Sequence, residues 1–332
     1  MPLTRLVARR LLGWCAPALL LAGARSAGAQ ANEGALDLLI PIGARATAMG
    51  TAFIAEEGSE AIWWNPAGIA RQARPEFAID HLENFFFKGD ALSLIAPVKG
   101  VGALGVTARL FNYGEQDNTD GLGNPIGSTL RRSIVVGGTF ATTFGPRVNA
   151  GLTYRLYQFR NDCSGLCENQ VAGASATSAV DIGLQIRPVS SSPFRVGIAL
   201  RNLGPRLQVK DQPQADALPA RLHIGVSYDP TFSGLAPAVK LRGTAELATR
   251  VGFTEHEFRL GAQAGYMAGT SMLVIRGGYV LKPSTGGEAS TGPSLGLGLS
   301  SGRVQLDLAR IFESLSTGLG KPPTYVSIRV GL

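Results

Sequence analysis

The sequence predicts an all-β fold, a transmembrane antiparallel β-barrel of about 14 strands with an N-terminal plug or hatch segment. Apolar residues alternate with small or polar ones, and the links between the alternating segments are in turn short and long. The composition also departs from that of a soluble domain, because 45% of the 332 residues are hydrophobic and only 17% are charged. A typical soluble domain carries about 25% charged residues. The shortfall indicates that much of the surface does not face water.

The strand prediction covers residues 76–332. Side chains in a strand point alternately to its two faces, and in the clearest segment Val304, Leu306 and Leu308 share one face. The predicted strands are 76–84, 90–98, 101–113, 129–144, 147–160, 175–188, 192–204, 218–229, 236–248, 256–268, 271–282, 291–300, 302–312 and 323–332.

The links between these strands alternate in length. Turns such as 99–100, 145–146 and 301–302 are tight, whereas the links near 114–128 and 161–174 are long. Short turns at one rim and long loops at the other are typical of outer-membrane barrels. A β-sandwich is the alternative, but its outer faces would be rich in lysine and glutamate, and here the second face carries glycine, serine and arginine.

Residues 30–75 do not follow the alternation and are predicted to form the plug. Short helical turns suit the small residues of 43–55, and Asn65-Pro66 indicates a turn. Fourteen strands enclose more space than their own side chains fill, and paired tryptophans such as Trp63 and Trp64 are seldom exposed. A solvated periplasmic extension is the alternative for this segment.

Residues 1–29 have the pattern of a signal peptide that is cleaved on export. Three arginines precede an apolar stretch at 11–22, and small residues at 27–29 offer a cleavage site. A retained anchor is the alternative, but the stretch is shorter than the ~20 residues that span a bilayer. We therefore predict an integral protein of the bacterial outer membrane, in contact with its lipid.

The charge distribution gives no indication of a nucleic-acid partner. The formal net charge is +7, but four arginines and no acidic residue lie in the first 29 residues. The rest of the chain contains 27 basic and 24 acidic residues, which gives a net charge of +3, and its basic residues are not clustered in the sequence. Nucleic-acid binding requires a clustered excess of positive charge.

Cys163 and Cys167 are predicted to form a disulfide. They are four residues apart in a chain that the signal peptide sends out of the reducing cytoplasm. Metal binding is the alternative for this pair, but no second pair of cysteines or nearby histidine completes four ligands. We therefore predict no metal site.

Several segments resemble the PorV/PorQ family of outer-membrane proteins and, more distantly, the FadL group of barrels. Residues 43–50, 52–55 and 63–70 are similar to the N-terminal signature of the family, and 201–205 and 218–221 to its mid-barrel segments. The resemblance implies a fourteen-stranded barrel with an N-terminal hatch. The hatch motif residues are Arg45, Met49, Trp63, Trp64, Asn65, Pro66, Ala67 and Gly68.

The resemblance implies two different functions. Members of the PorV/PorQ family act as outer-membrane partners of the type IX secretion translocon and receive exported cargo, whereas FadL members pass hydrophobic molecules. Two features depart from these patterns. The chain ends in Leu332, where many such barrels end in an aromatic residue, and it is shorter than a typical FadL transporter.

The alternation also predicts a basic lumen. If the leucine, valine and isoleucine faces meet lipid, the opposite faces point inward and carry Arg109, Arg155, Arg187, Arg195, Arg201, Arg221, Lys240, Arg242, Arg259, Arg276, Arg303 and Arg329. Such a lumen would favour anionic ligands, or would hold the acidic plug stretch 56–60 by charge-assisted hydrogen bonds. A hydrated ladder of charge without a ligand is the alternative.

Two catalytic patterns lack the context they require. Residues 292–296 have the spacing of a nucleophile elbow around Ser294 but continue into a strand rather than a helix. Residues 100–105 spell a dinucleotide fingerprint but also precede a strand. We predict no enzyme activity, no catalytic residue and no cofactor, with an embedded hydrolase using Ser294 as the alternative.

The main functional prediction is a partner and cargo shuttle in protein export, whose outer loops contact a secretion translocon and exported proteins. The alternative is a FadL-type channel for hydrophobic small molecules such as long-chain fatty acids. Both functions use the same fold, so the fold by itself does not distinguish them.

Overall fold

The computed structural model describes residues 33–166, 173–189, 191–208, 215–231, 237–252, 255–282, 292–312 and 315–332. The predicted signal peptide lies outside these ranges. Over the described residues the predicted fold is confirmed, because fourteen antiparallel strands form a closed barrel.

The barrel strands follow one another in chain order around the barrel. They are β1 (Glu76–Glu83), β2 (Lys88–Val98), β3 (Gly102–Thr119), β4 (Pro125–Phe144), β5 (Val148–Gly165), β6 (Gly173–Ile186), β7 (Phe194–Leu203), β10 (Arg221–Tyr228), β11 (Val239–Arg250), β12 (His256–Ala268), β13 (Ser271–Leu281), β14 (Gly292–Ser301), β15 (Val304–Ile311) and β16 (Thr324–Gly331). Between β7 and β10, the chain forms a separate two-stranded sheet of β8 (Leu207–Gln208) and β9 (Ala215–Asp216).

The first and last strands close the barrel. β1 pairs with β2 on one side and with β16 on the other, where Glu76 lies opposite Gly331 and Glu83 opposite Thr324. A closed sheet leaves no edge strand with unpaired backbone groups. This is the condition that a β-structure must meet inside a bilayer.

The outer face of the barrel is apolar and the inner face is polar. On β13, Leu273 and Ile275 are 57% and 59% exposed, whereas Arg276 is 5% exposed. On β15, Leu306 is exposed and its neighbour Asp307 is fully buried. Exposed leucine, isoleucine and valine recur around the barrel, so its outer surface suits acyl chains better than water.

Strands β3, β4 and β5 are longer than predicted. Most of the expected long link at 114–128 is paired strand, and a turn at 120–124 connects β3 to β4. The pairing continues past irregularities at Asn112/Glu115 and Asn118/Thr119. The added residues are mainly polar on both faces, so the hydrophobic period did not reveal them.

The plug, residues 33–75, lies inside the barrel. It contains 3-10 helices at Leu36–Leu39, Ser59–Trp63 and Pro66–Ile69 and one short α-helix, α1 (Ala44–Ala48). The alanines of α1 are buried, and the helix packs against β13 to β16. A second helix, α2 (Leu315–Gly318), lies between β15 and β16, and no helix in the described part of the chain has the length and apolar character needed to cross a bilayer.

The plug crosses the lumen from one end of the barrel to the other. At the end where the long links lie, which we call the long-loop end, Glu33 accepts hydrogen bonds of 2.7 and 2.8 Å from Arg221. At the opposite, short-turn end, Arg71 donates to the carbonyls of Gly145 and Pro146 in the β4–β5 turn. The plug is thus attached to the wall at both ends.

Glycines on the inner face of the wall allow the plug backbone to approach closely. A Cβ atom on Gly278 of β13 would lie 1.8 Å from the Gly50 nitrogen, and one on Gly183 of β6 would lie 1.9 Å from Asn65 Oδ1. No side chain fits at such distances. The other wall glycines whose Cβ would collide with the plug include Gly151, Gly197, Gly261 and Gly296.

Candidate functional site: the plugged lumen

A buried carboxylate at the centre of the plug joins three barrel strands. Glu56 has no exposed surface, accepts hydrogen bonds from Ser227 at 2.6 Å and Arg242 at 2.7 Å, and pairs with Arg45 of the plug. Arg195 lies 3.4 Å from the same carboxylate. These five residues, here called the Glu56 cluster, connect the plug to β7, β10 and β11.

The Glu56 cluster keeps its carboxylate ionised. Burial by itself would raise the pKa of Glu56, but Arg45, Arg242 and Arg195 outweigh burial and lower the pKa from 4.5 to about 2. The negative charge therefore persists over the whole physiological pH range.

Two further acidic residues of the plug contact opposite sides of the barrel. Glu57 accepts a hydrogen bond of 2.5 Å from Arg187 at the end of β6. Glu60 pairs with Arg329 on β16, which also donates to Asp307 at 2.6 Å. The acidic stretch of the plug is therefore held by arginines from both sides of the lumen.

A carboxylate of the barrel wall binds the plug backbone. One oxygen of Glu246 on β11 accepts the N–H groups of Phe53 at 2.9 Å and Ile54 at 3.0 Å. Its other oxygen lies 2.8 Å from His223 Nδ1 and accepts a hydrogen bond of 3.0 Å from Arg259. Hydrogen bonds to an ionised acceptor are stronger than neutral ones, so Glu246 is a second attachment point of the plug.

The predicted motif residues 63–68 form a buried turn. Asn65 Nδ2 donates to the Ile54 carbonyl at 2.8 Å, and Asn65 Oδ1 accepts from the Ala67 N–H at 3.0 Å, which caps the 3-10 helix that begins at Pro66. Trp64 Nε1 donates to the carbonyl of Ile42 at 3.0 Å. Trp63, Pro66 and Gly68 are also buried.

The other two motif residues lie at α1. Met49 has no exposed surface, and its backbone abuts the inner glycines of β12 and β13. The Arg45 guanidinium lies 4.9 Å from the ring centroid of Phe53, in addition to its contact with Glu56. The structure therefore places all eight motif residues within the plug, where they make its contacts with itself and with the wall.

Most of the predicted lumen-facing basic residues lie on the inner face of the barrel. Buried or half-buried in the lumen are Arg109, Arg155, Arg187, Arg195, Arg201, Arg221, Arg242, Arg259, Arg276 and Arg329. Lys240 is exposed at the short-turn end. Arg303 differs from the prediction, because it lies in the exposed two-residue turn between β14 and β15, and the inner row of β15 begins after this turn.

The predicted disulfide lies only partly within the described residues. Cys163, near the end of β5, is disulfide-bonded. Its predicted partner, Cys167, lies outside the described ranges, so the pairing stays a prediction.

Ser294, at the centre of the nucleophile-elbow spacing, binds the backbone of the plug. Ser294 Oγ donates to the Ala48 carbonyl at 3.2 Å and accepts from the Gly50 N–H at 3.2 Å. Ser294 is 3% exposed, and its hydroxyl is hydrogen-bonded to backbone groups, whereas an activated nucleophile needs an adjacent base. Among the described residues, no group of three histidine, cysteine, aspartate or glutamate side chains could hold a metal ion.

The long-loop end of the lumen exposes apolar side chains. Asp37 holds the first plug helix against the wall through Arg109 at 3.0 Å, Ser133 at 2.6 Å and Tyr157 at 2.9 Å. Its neighbours Leu36 and Leu39 are 57% and 40% exposed. The anchored helix thus presents two leucines at the entrance.

An aromatic wall lies beside this entrance. Phe87 is 5.1 Å from Phe111 and 5.5 Å from Tyr113 between ring centroids, and Tyr113 is 6.4 Å from Phe159. Phe111, Tyr113 and Phe159 occupy inner-face positions of β3 and β5. The two leucines and the aromatic wall together form what we call the apolar mouth.

The short-turn end has the opposite character. A cavity of about 530 Å³, here called the inner chamber, lies between α1 of the plug and strands β11 to β15. The charged side chains that line it are Arg45, Asp229, Lys240, Arg242 and Arg276. The lumen therefore has the apolar mouth at its long-loop end and a mainly basic cavity at its short-turn end.

Three kinds of plug contact were not identified in the sequence. Asp37 is a single acidic residue in the apolar run 36–39, and Glu246 occupies an inward position among arginines. The inner glycines, such as Gly278, occupy positions where the alternation places a lumen-facing side chain. Polar or missing side chains at inward positions were the available signal, but the contacting residues are far apart in the chain, 72 residues for Asp37 and Arg109 and 193 for Phe53 and Glu246.

Solved structures with a similar fold are barrels of the FadL type. CymD, a monoaromatic hydrocarbon channel, matches with a TM-score of 0.60 and 13% identity, over 89% of this chain and 98% of its own. The Ralstonia pickettii toluene transporter TbuX matches with a TM-score of 0.57 and 11% identity, over 87% and 98%. A Pseudomonas aeruginosa FadL homologue matches with a TM-score of 0.51 and 10% identity, over 88% and 99%.

These similarities establish the fold, and at such identities the fold alone. It agrees with the more distant of the two predicted resemblances, the FadL group, and the neighbours are channels and transporters rather than enzymes. No protein-family model and no curated protein matches the sequence.

Proposed function

We propose that this protein is an integral channel of the bacterial outer membrane for hydrophobic small molecules. The apolar mouth is the observation that carries the proposal. Exposed leucine side chains cost free energy in water, about 25 cal/mol per Å² of apolar surface, and an apolar ligand that covers Leu36 and Leu39 recovers it. The fold shared with hydrocarbon channels supports the same function.

Passage through the lumen requires the plug contacts to rearrange. The plug is held to the wall largely by ion pairs and hydrogen bonds, such as those of Glu56 and Glu246. Buried ion pairs add less net stability than apolar packing of the same volume, because desolvation opposes the attraction. Water that enters with the plug displacement can replace these contacts, so the attachment is compatible with movement.

Uptake of labelled toluene by cells that carry the protein in the outer membrane tests the proposal. Leu39→Asp places a charge in the apolar mouth, and we expect it to lower uptake at least several-fold. Leu122→Asp is the matched control, because Leu122 is 88% exposed in the β3–β4 turn. Equal uptake by cells with and without the protein would refute the channel function.

The export function remains the competing prediction, based on the PorV/PorQ resemblance of the N-terminal motif. In the structure the motif residues make the internal contacts of the plug, and such contacts suit a hatch in either function. The comparisons support the small-molecule channel better, since CymD is a monoaromatic hydrocarbon channel and TbuX is a toluene transporter. Recovery of a large translocon with the protein purified from native membranes would support the export function instead.

A further inference from the structure

The inner chamber has the size of a small-molecule site and walls from two parts of the molecule. Pockets for small ligands have volumes of about 300–1,000 Å³, and the chamber has about 530 Å³. Arg45 comes from the plug, whereas Arg242 and Arg276 come from strands β11 and β13 of the barrel. A molecule bound here would touch both the plug and the wall.

The charge on the chamber surface is positive. Among the described lining residues, four are cationic and one, Asp229, is acidic. Asp229 pairs with Arg242, whereas the other two carboxylates that pair with the arginines lie outside the lining. Glu56 has no exposed surface, and Asp307 is fully buried and accepts a hydrogen bond of 2.6 Å from Arg276. The guanidinium groups thus separate these acids from the chamber.

Lys240 adds a cation without a partner acid. It is exposed, lines the chamber and, among the described residues, has no carboxylate within ion-pair distance. The other cations of the chamber are each paired with a carboxylate on the plug or on the wall. The charge of Lys240 is therefore available to a ligand.

The chamber also has apolar contact surface. Met272 and Val274 of β13 line it next to the polar side chains of Gln263 and Gln305. A methionine side chain adapts its shape to different apolar groups. A ligand with one anionic group and a compact apolar body would pair with the cationic side chains of the chamber and pack against Met272 and Val274.

We propose that the inner chamber binds small organic anions of the aromatic-carboxylate class. Lys240, Arg45 and Arg276 face the carboxylate, and Met272 and Val274 contact the ring. Because Arg45 belongs to the plug, the bound anion links plug and wall and stabilises the plugged state. This inference does not rest on the proposed transport of hydrophobic molecules.

Calorimetric titration of the full-length protein in detergent with benzoate and with benzyl alcohol tests the site. The two probes have nearly the same shape, and only benzoate carries a charge. We expect benzoate to bind at least tenfold more tightly and to raise the temperature at which the plug unfolds. Equal affinity for the two probes would overturn the proposal.

Three variants locate the binding. Lys240→Gln should weaken benzoate binding about fivefold, the effect of one exposed ion pair, and Ser300→Phe should abolish it, because Ser300 lines the chamber. Lys99→Gln, an exposed lysine in a turn of the same rim, should bind benzoate as the native protein does. An equal loss of benzoate affinity in Lys240→Gln and Lys99→Gln would place the anion elsewhere and refute the site. Toluene uptake tests the proposed channel function separately, so the two proposals can fail independently.

Discussion

Glu56 differs from its neighbour Glu57 in its surroundings rather than in its chemistry. The Glu56 side chain is fully buried and contacts three guanidinium groups, whereas Glu57 is 21% exposed and Arg187, its nearest partner, is 28% exposed. In a buried cluster the removal of one partner leaves the others unpaired in a medium of low dielectric constant. At a partly exposed pair, water replaces the lost partner.

Glu56→Gln should therefore weaken the attachment of the plug by about 3 kcal/mol or more. Glu57→Gln, the matched control, should cost about 1 kcal/mol or less. Trp63 and Trp64 lie in the plug and are the only tryptophans after the predicted signal peptide, so their fluorescence reports plug release. In detergent, the urea concentration that shifts tryptophan emission should fall markedly in Glu56→Gln, and equal midpoints in the two variants would contradict this role of Glu56.

At the scale of elements, each strand of the wall has one surface for the plug and one for lipid. Strand β13 shows the contrast at two adjacent glycines. A Cβ on Gly278 would collide with the plug backbone. One on Gly277, on the outer face, would make ordinary contacts of 3.5 Å with Leu295 and 4.0 Å with the Ser294 carbonyl. The inner row of the strand is therefore constrained by the plug, and the outer row only by neighbouring side chains and lipid.

Gly278→Val should displace the plug while the barrel still forms. Gly277→Val has the same side chain one position away on the outer face and should leave the plug in place. Limited trypsin digestion checks this, since the plug contains the cleavable residues Arg45 and Arg71. Barrel folding is followed by heat-modifiable migration on gels. Equal plug cleavage in the two valine variants would show that the close approach at Gly278 is unimportant.

For the whole molecule, the closed barrel places the ion pairs that hold the plug out of bulk water. The pKa of Glu56 falls from 4.5 to about 2 in the folded protein, since its arginine partners outweigh burial. A carboxylate with a lowered pKa contributes its full stabilisation above about pH 4.5 and loses it as the pH falls toward 2. The part of the plug attachment that Glu56 supplies should therefore be constant between pH 5 and 7 and be lost below that range.

Tryptophan emission measured from pH 7 to pH 2 should show this dependence, with a red shift that begins below about pH 4.5. In Glu56→Gln the part of the transition caused by this carboxylate should be missing. A difference in emission between the native protein and Glu56→Gln that changes between pH 7 and pH 5 would contradict the assignment, because Glu56 does not titrate there.

The sequence by itself determined the barrel. Alternation with period two is a local pattern, so the residues of a single strand such as β15 or β16 show which of its faces is apolar and meets lipid. The alternating link lengths then indicated one closed sheet with two different rims. The same alternation assigned twelve basic residues to the lumen side of the wall, and ten of them are buried or half-buried there. It misplaced Arg303, because a two-residue turn interrupts the period.

Only the tertiary structure decided which groups meet inside the lumen. Glu56 and Arg242 are 186 residues apart, and Phe53 and Glu246 are 193 apart, so no local pattern relates them. Closure of the barrel around the plug brings them together, and it also leaves an apolar mouth at one end and a basic chamber at the other. The physical reason is that every outward position meets the same environment, the lipid, which requires only an apolar side chain. The residue required at each inward position depends instead on the particular group that it contacts.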